Sequence, residues 1–379
     1  MPEETGQERA SSERIEVGPV PSDGFHPDDQ ATPAPAQDVL YLGIDLGTAN
    51  SSVATSTDVT RTVPSVVGWP KDLIAYKFLQ KPIVYGEECI RNRMALDLFY
   101  PLEKGVLRYR PQPDATSDNN REVEAVRELV RHVVEVELAE IRPNQAVRAV
   151  VGAPALASEN DKQAIIDVTQ DLVDSVMVVS EPFLVAYGLG LYNNALVVDI
   201  GAGTLDLCRM HGTIPEDEDQ RTLYKAGSFL DEKFHGLLQE KVKDSPISLN
   251  QARSIKERYA FVSPITEGIS VEFQVEGKAV LYNIAEELKA ACEEILPDTL
   301  AAIRELITTF EPEFQDELRN NIVLAGGGSQ IRGLPVVIES DLAEFGPARV
   351  TVVDDPIYAG ALGALRLAQD MPDSEWASA

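Results

Sequence analysis

The chain is short of cysteine, histidine and positive charge, and each shortage removes a class of function. Its 379 residues hold three cysteines, Cys89, Cys208 and Cys292, with no C-x-x-C spacing. An odd, scattered set excludes a disulfide framework and fits a reducing compartment. Four dispersed histidines offer no zinc pattern. The 33 basic residues face 62 acidic ones, and a formal net charge of −29 repels polyanions, so nucleic acid is not expected as a direct partner. No apolar run reaches the roughly 18 residues of a membrane span, and Glu3 and Glu4 stand where an export signal would be basic. The expectation is a cytoplasmic protein without direct membrane insertion.

What is present is length and alternation. The chain is long enough for two or three domains with sizeable cores. Residues 1–38 are rich in Glu, Asp, Pro, Ser and Ala and carry almost no apolar periodicity, so they cannot bury enough surface to offset ordering entropy. They read as a disordered acidic tail, either a linker or a partner-binding segment. From Val39 the texture changes. Val39 to Ile44 reads as a strand, Ser51 to Thr55 as the return strand of a hairpin, Thr62 to Gly68 as one extended segment, and 84–100 as helical around Glu87 to Leu98. A polar loop at 111–120 precedes a helix at 121–140, where Val123, Val126, Val130, Val133 and Val134 recur at helical spacing. Ala146 to Gly152 and Val176 to Val179 are short buried strands separated by a helix near 159–172. Strands alternating with helices indicate an α/β fold with central sheets.

Two copies of one short pattern carry the chemistry: L-G-I-D-L-G-T at 42–48 and V-V-D-I-G-A-G-T at 197–204. In each, an apolar strand ends at an Asp, followed by glycines and a Thr. Glycine is needed where backbone N–H groups approach phosphate oxygens closely, and the Asp can hold hydrated Mg²⁺ through its waters. One such turn is commonly an ordinary hairpin; two matched copies suggest a phosphate clamp with two jaws, Asp45, Gly47, Thr48 and Asn50 on one side and Asp199, Gly201, Gly203 and Thr204 on the other. Asp206 lies two residues further and is equally well a structural residue. Glu181 follows the strand at 176–179 in S-E-P, a helix-start signal. A carboxylate at that junction could orient a water or take its proton, or could serve only the helix dipole. A triple-glycine turn, Gly326, Gly327 and Gly328 with Ser329, follows the apolar run at 322–325 and can bring backbone close to a nucleotide.

The order of these parts resembles the actin, Hsp70 and sugar-kinase superfamily over nearly all of residues 39–370. I-D-L-G-T-A-N-S at 44–51 and Y-P-L-E-K-G-V-L at 100–107 are similar to bacterial actins, and S-I-K-E-R-Y at 254–259 resembles the Lys-Glu pair by which actins contact adenosine. A finer likeness, in V-V-G-W-P-K-D at 66–72, S-E-P-F-L-V-A-Y-G-L at 180–189 and A-G-G-G-S-Q-I-R-G-L at 325–334, is to the magnetosome-filament actins.

The resemblance implies an actin-like, duplicated ribonuclease H-like fold. Domain I would span 39–194 with 357–379, including a subdomain at about 69–101; domain II would span 195–356, including a subdomain at about 228–290. It implies ATP with Mg²⁺, catalytic roles for Glu181 and Asp199, and adenosine contacts from Lys256 and Glu257, although a solvated charge pair equally explains the last two. It implies slow ATP hydrolysis coupled to a double-stranded filament of copies of the chain, and magnetosome-associated adaptor proteins as partners. Where eukaryotic actin has a lysine in the first clamp, Ser51 and Ser52 stand here, so phosphate charge must be met by Mg²⁺ and backbone dipoles. A cell-shape actin of the MreB type and a non-polymerising, Hsp70-like chaperone ATPase are the alternatives. The short stretch after the helix expected at 357–370 favours a bare nucleotide-binding domain pair over the chaperone.

Overall fold

Two five-stranded sheets with one shared connectivity organise the computed structural model, which describes residues 38–108, 117–138, 145–264 and 268–376. In the first sheet Val39–Leu46 is central. It pairs antiparallel with Asn50–Thr55, which pairs with Thr60–Pro64, and parallel with Ala146–Ala153, which pairs with Ser175–Ser180. The second sheet repeats this around Asn193–Ile200, with Leu205–His211 and Gln220–Leu223 antiparallel on one side and Ile322–Ala325 and Val350–Val352 parallel on the other. The repeated motif is therefore a repeated hairpin. Asp45 lies opposite Ser52 in the first, and Asp199 opposite Asp206 in the second.

Helices cover these sheets as the apolar spacing demands. Along Ser117–Leu138, the residues Ala125, Val126, Leu129, Val130, Val133 and Val134 are buried, one stripe with a period of 3.6 residues against the first sheet. The helix Glu181–Leu189 is shared. Leu184 belongs to a core with Val150, Ala364 and Leu367, whereas Val185 and Ala186 pack with Val197, Cys208 and Ala325 of the second sheet. Such a helix is apolar all round, as S-E-P-F-L-V-A-Y-G-L shows. Among the described residues no helix is long and apolar enough to cross a membrane.

Three expectations need correction. The stretch 84–100 is not one helix: Gly86–Arg91 is helical, but Leu96–Phe99 is a strand paired antiparallel with Val67–Pro70. Leu96 and Leu98 alternate toward a small core around Val66, Val84 and Cys89, and pairing with a distant strand outweighs local helix preference. The extended segment Thr62 to Gly68 is split between two sheets, because Thr60–Pro64 ends at a proline that offers no further N–H to a ladder. The helix expected at 121–140 begins at Ser117, within the stretch read as a loop, since Ser, Asp and Asn suit the first turn of a helix. The rest of that loop, 111–116, and the tail, 1–37, lie outside the described residues.

A small three-stranded sheet, Val67–Pro70, Val84–Tyr85 and Leu96–Phe99, docks on the long helix through an aromatic stack. The rings of Tyr85 and His132 lie 4.3 Å apart and within 7° of parallel, and the Tyr85 hydroxyl donates to Glu128 Oε2 at 2.6 Å. Burial, with Arg61 and Lys81 nearby, lowers the His132 pKa to about 4 from 6.5. Between these values the unfolded chain binds a proton that the folded chain refuses. The stabilisation is whole above pH 6.5 and drains away as pH falls toward 4. Denaturant titrations at about pH 7 and about pH 5 should show a larger loss of stability in the parent than in His132→Phe, which keeps the stack but cannot titrate. Equal losses would show that His132 does not set the acid sensitivity.

Candidate functional site

The two hairpin turns face each other across a cavity of about 490 Å³, within the size range of small-molecule sites. Asp45, Gly47, Thr48 and Asn50 line it from the first turn, and Asp199, Gly201, Gly203 and Thr204 from the second. The turns touch. Thr48 Oγ1 accepts a hydrogen bond from Gly105 N at 2.8 Å, and a Cβ on Gly203 would lie only 2.1 Å from the same oxygen. Any side chain at 203 would pry the turns apart.

Gly326, Gly327 and Gly328 close the cavity from the end of strand Ile322–Ala325, which runs beside the second clamp strand. Gly326 has φ +72°, and a Cβ there would meet Asp199 Oδ1 at 2.3 Å, so both conformation and space require glycine. Ser329 is not brought to the cavity with the rest. It is buried, and its hydroxyl donates to Gly326 O at 2.7 Å, which braces the glycine turn from behind.

Four carboxyl groups form one cluster, three of them in the cavity lining. Glu181, at the start of its helix, lines the cavity with Asp45 and Asp199. Its pKa is raised well above the ordinary value by burial and then by Asp45, Asp206 and Asp199. Asp199 is likewise raised well above the usual range by burial, Asp45 and Asp206, and burial lifts Asp45 to about 6. Asp206 does not line the cavity: it accepts from Ala155 N at 2.9 Å and from Thr222 Oγ1 at 2.6 Å. The structural alternative thus describes its contacts, while burial still raises its pKa. Among the described residues no three acidic, His or Cys side chains converge as a direct metal-binding group. All-oxygen, mutually repelling and too dispersed to wrap a bare ion, the set fits a hydrated Mg²⁺ held through its waters.

Lys256 and Glu257 also reach the cavity, on helix Leu249–Tyr259. They are not a solvated pair with each other: Lys256 Nζ is 2.7 Å from the buried Asp231 Oδ1 and donates to Gly227 O at 2.9 Å. Burial raises the Glu257 pKa, with Asp231 adding to the rise and Lys256 and Arg253 opposing it. Gly105, Gly227, Asp231 and Arg253 line the cavity as well and were not singled out from the sequence. Gly105 carried a signal, since it sits in the Y-P-L-E-K-G-V-L element; Asp231 and Arg253 lie on helices whose mutual approach no local pattern announces.

The chain as a whole is similar to known proteins. Residues 40–375 match the family model for MreB/Mbl protein. The chain is 43% identical over 341 residues to the actin-like protein MamK of Paramagnetospirillum magneticum (strain ATCC 700264 / AMB-1), covering 90% of this chain and 95% of that one. Among solved structures it is similar to a MamK double helical filament, with a TM-score of 0.82 and 43% identity over 88% of this chain and 99% of that chain. It is also similar to a non-polymerising mutant of MamK bound to AMPPNP, with a TM-score of 0.67 and 43% identity over 88% of this chain and all (100%) of that one. The duplicated sheets, the facing turns and these matches make the chain a member of the MreB/Mbl family of actin-like proteins.

Proposed function

We propose that this protein binds ATP with Mg²⁺ between its two sheets, hydrolyses it slowly and polymerises into a double-stranded cytoplasmic filament that positions magnetosome chains through adaptor proteins. The observation that carries the nucleotide site is the convergence of both Asp-Gly-Thr turns, Glu181 and the triple-glycine turn on one cavity. The filament and its setting are supported by the 43% identity to MamK, one of whose structures is a double helical filament. The −29 charge of each subunit opposes assembly, so polymerisation is expected to depend on Mg²⁺ and salt screening.

In this reading the two domains are 39–194 with 357–379 and 195–356, with subdomains at about 69–101 and 228–290. Asp45 and Asp199 hold the water shell of Mg²⁺, which when bound supplies neutralising charge to the β- and γ-phosphate oxygens. Backbone N–H groups of Gly47, Thr48, Gly203 and Thr204 cradle the phosphates, with Asn50 beside them and Gly201, whose own N–H donates to Thr204 O, closing the second turn against them. Lys256 and Glu257 meet the ribose and adenine, and Gly326 to Gly328 bring backbone close to the α-phosphate or adenosine. Glu181 orients the attacking water and receives its proton late in the reaction. ATP between the turns bridges elements of both sheets, so its state alters their relative closure and hence the surface offered to the next subunit. A head-to-tail contact of that kind does not close on itself and propagates as a filament.

Sedimentation with ATP and Mg²⁺, with ADP, and with no nucleotide should give unequal pellets, largest with ATP; identical pellets would sever nucleotide from assembly. Glu181→Ala and Asp199→Ala should keep nucleotide binding while slowing phosphate release by about a hundredfold or more, leaving filaments that persist. Normal phosphate release in either variant would remove that residue from its role.

A further inference from the structure

We propose that Asp231 is a positioning residue for the nucleotide, its buried carboxylate fixing Lys256 and Arg253 as a cationic pair on the cavity wall. This rests on the reading of the cavity as a nucleotide site. Asp231 has 3% side-chain exposure and lies between two cations, with Lys256 Nζ 2.7 Å from Oδ1 and Arg253 Nε donating to Oδ2 at 2.8 Å. Lys256 is itself only 12% exposed, and both cations line the cavity. They have no place in the carboxylate cluster: Glu181 feels Asp45, Asp206 and Asp199, whereas Glu257 feels Lys256, Asp231 and Arg253. One cavity thus holds two electrostatic neighbourhoods, one purely acidic and one containing cations.

Asp231 also ties that pair to the second clamp. It lies on helix Gly227–Lys241, whose first residues bond to the clamp turn, Gly227 N to Gly201 O at 3.1 Å and Ser228 N to Ala202 O at 2.7 Å. Lys256 Nζ donates to Gly227 O on the same helix at 2.9 Å. One of the ammonium's three donors is committed to Gly227 O and its charge is held by the Asp231 carboxylate, so its reach toward a ligand oxygen starts from a place set relative to Gly201–Thr204. A lysine on a free four-carbon stem would have to be ordered at each binding event; here the ordering is done on folding.

The test is a double-mutant cycle read by calorimetric titration with Mg²⁺-AMPPNP, using Asp231→Asn, Lys256→Met and the combination, with thermal melts as the check on folding. Asp231→Asn is expected to weaken binding roughly tenfold or more, as displaced binding groups do, and the double variant to lose clearly less than the product of the two single losses, because only the Arg253 part of the effect remains once Lys256 is gone. A residue that only supports the fold would give independent, multiplying losses, or a loss that follows melting temperature, and either result overturns the proposal. So does unchanged affinity in Asp231→Asn. If that variant does not fold, Asp231→Glu takes its place in the cycle: it keeps the charge on the cations but displaces the ammonium by a methylene, and the same coupling with Lys256→Met is required of it. Failure of the parent protein to bind Mg²⁺-AMPPNP would instead overturn the nucleotide site, and the role of Asp231 with it.

Discussion

Mutual repulsion among Asp45, Glu181, Asp199 and Asp206 is the constraint to which the rest of the site answers. Burial already disfavours the charge on each, and proximity raises Glu181 and Asp199 further. A cluster of this kind is tolerated in a fold when something outside the chain completes it, because a cation between carboxylates reverses the sign of their interaction. The proposed Mg²⁺ would be a positive charge of this kind, one that brings its own ligands. A metal–phosphate complex satisfies both conditions, supplying the cation and the anionic groups that glycine-rich backbone is shaped to receive.

The fold keeps these groups together by sharing one helix between two cores. Glu181–Leu189 places Leu184 among residues of the first sheet and of helix Ala359–Asp370, and Val185 and Ala186 against the second sheet. Glu181 at its start is thereby held where both clamp strands end. Nearby, Asp206 bonds the second hairpin to Ala155 N, just beyond strand Ala146–Ala153 of the first sheet. The contact between Thr48 and the backbone of Gly203 adds a steric link across the turns. A ligand that alters the spacing of the turns acts on all these links at once, which is how a small molecule can influence the surface presented by a whole subunit.

Much of this was legible from local pattern. Strand Ile322–Ala325 falls on the apolar run read at 322–325, and the first clamp strand, expected from Val39 to Ile44, runs on to Leu46. Their signals are short-range: periodicity, a capping residue, a glycine after an apolar run. The failures share one cause. Leu96–Phe99 is a strand only because Val67–Pro70 lies beside it, and the break at Pro64 matters only because two sheets compete for the segment. Ser329 was grouped with the glycines it follows, yet its hydroxyl turns back to Gly326 O, a bond between near neighbours that a motif does not reveal.

The sequence by itself determined that there would be two equivalent strand–Asp–glycine turns, because apolar runs, glycines and a capping Ser-Glu-Pro act over a few residues and need no distant partner. It also determined the acidic character of the whole and the excluded partners that follow from it. Only the tertiary structure decided which charged groups are neighbours. That Asp206 braces Ala155 while Asp199 faces the cavity, and that Lys256 is gripped by Asp231 rather than paired with Glu257, are consequences of how helices and sheets cross. Charge interactions depend on separation and burial, and neither is written in the spacing of residues along a chain.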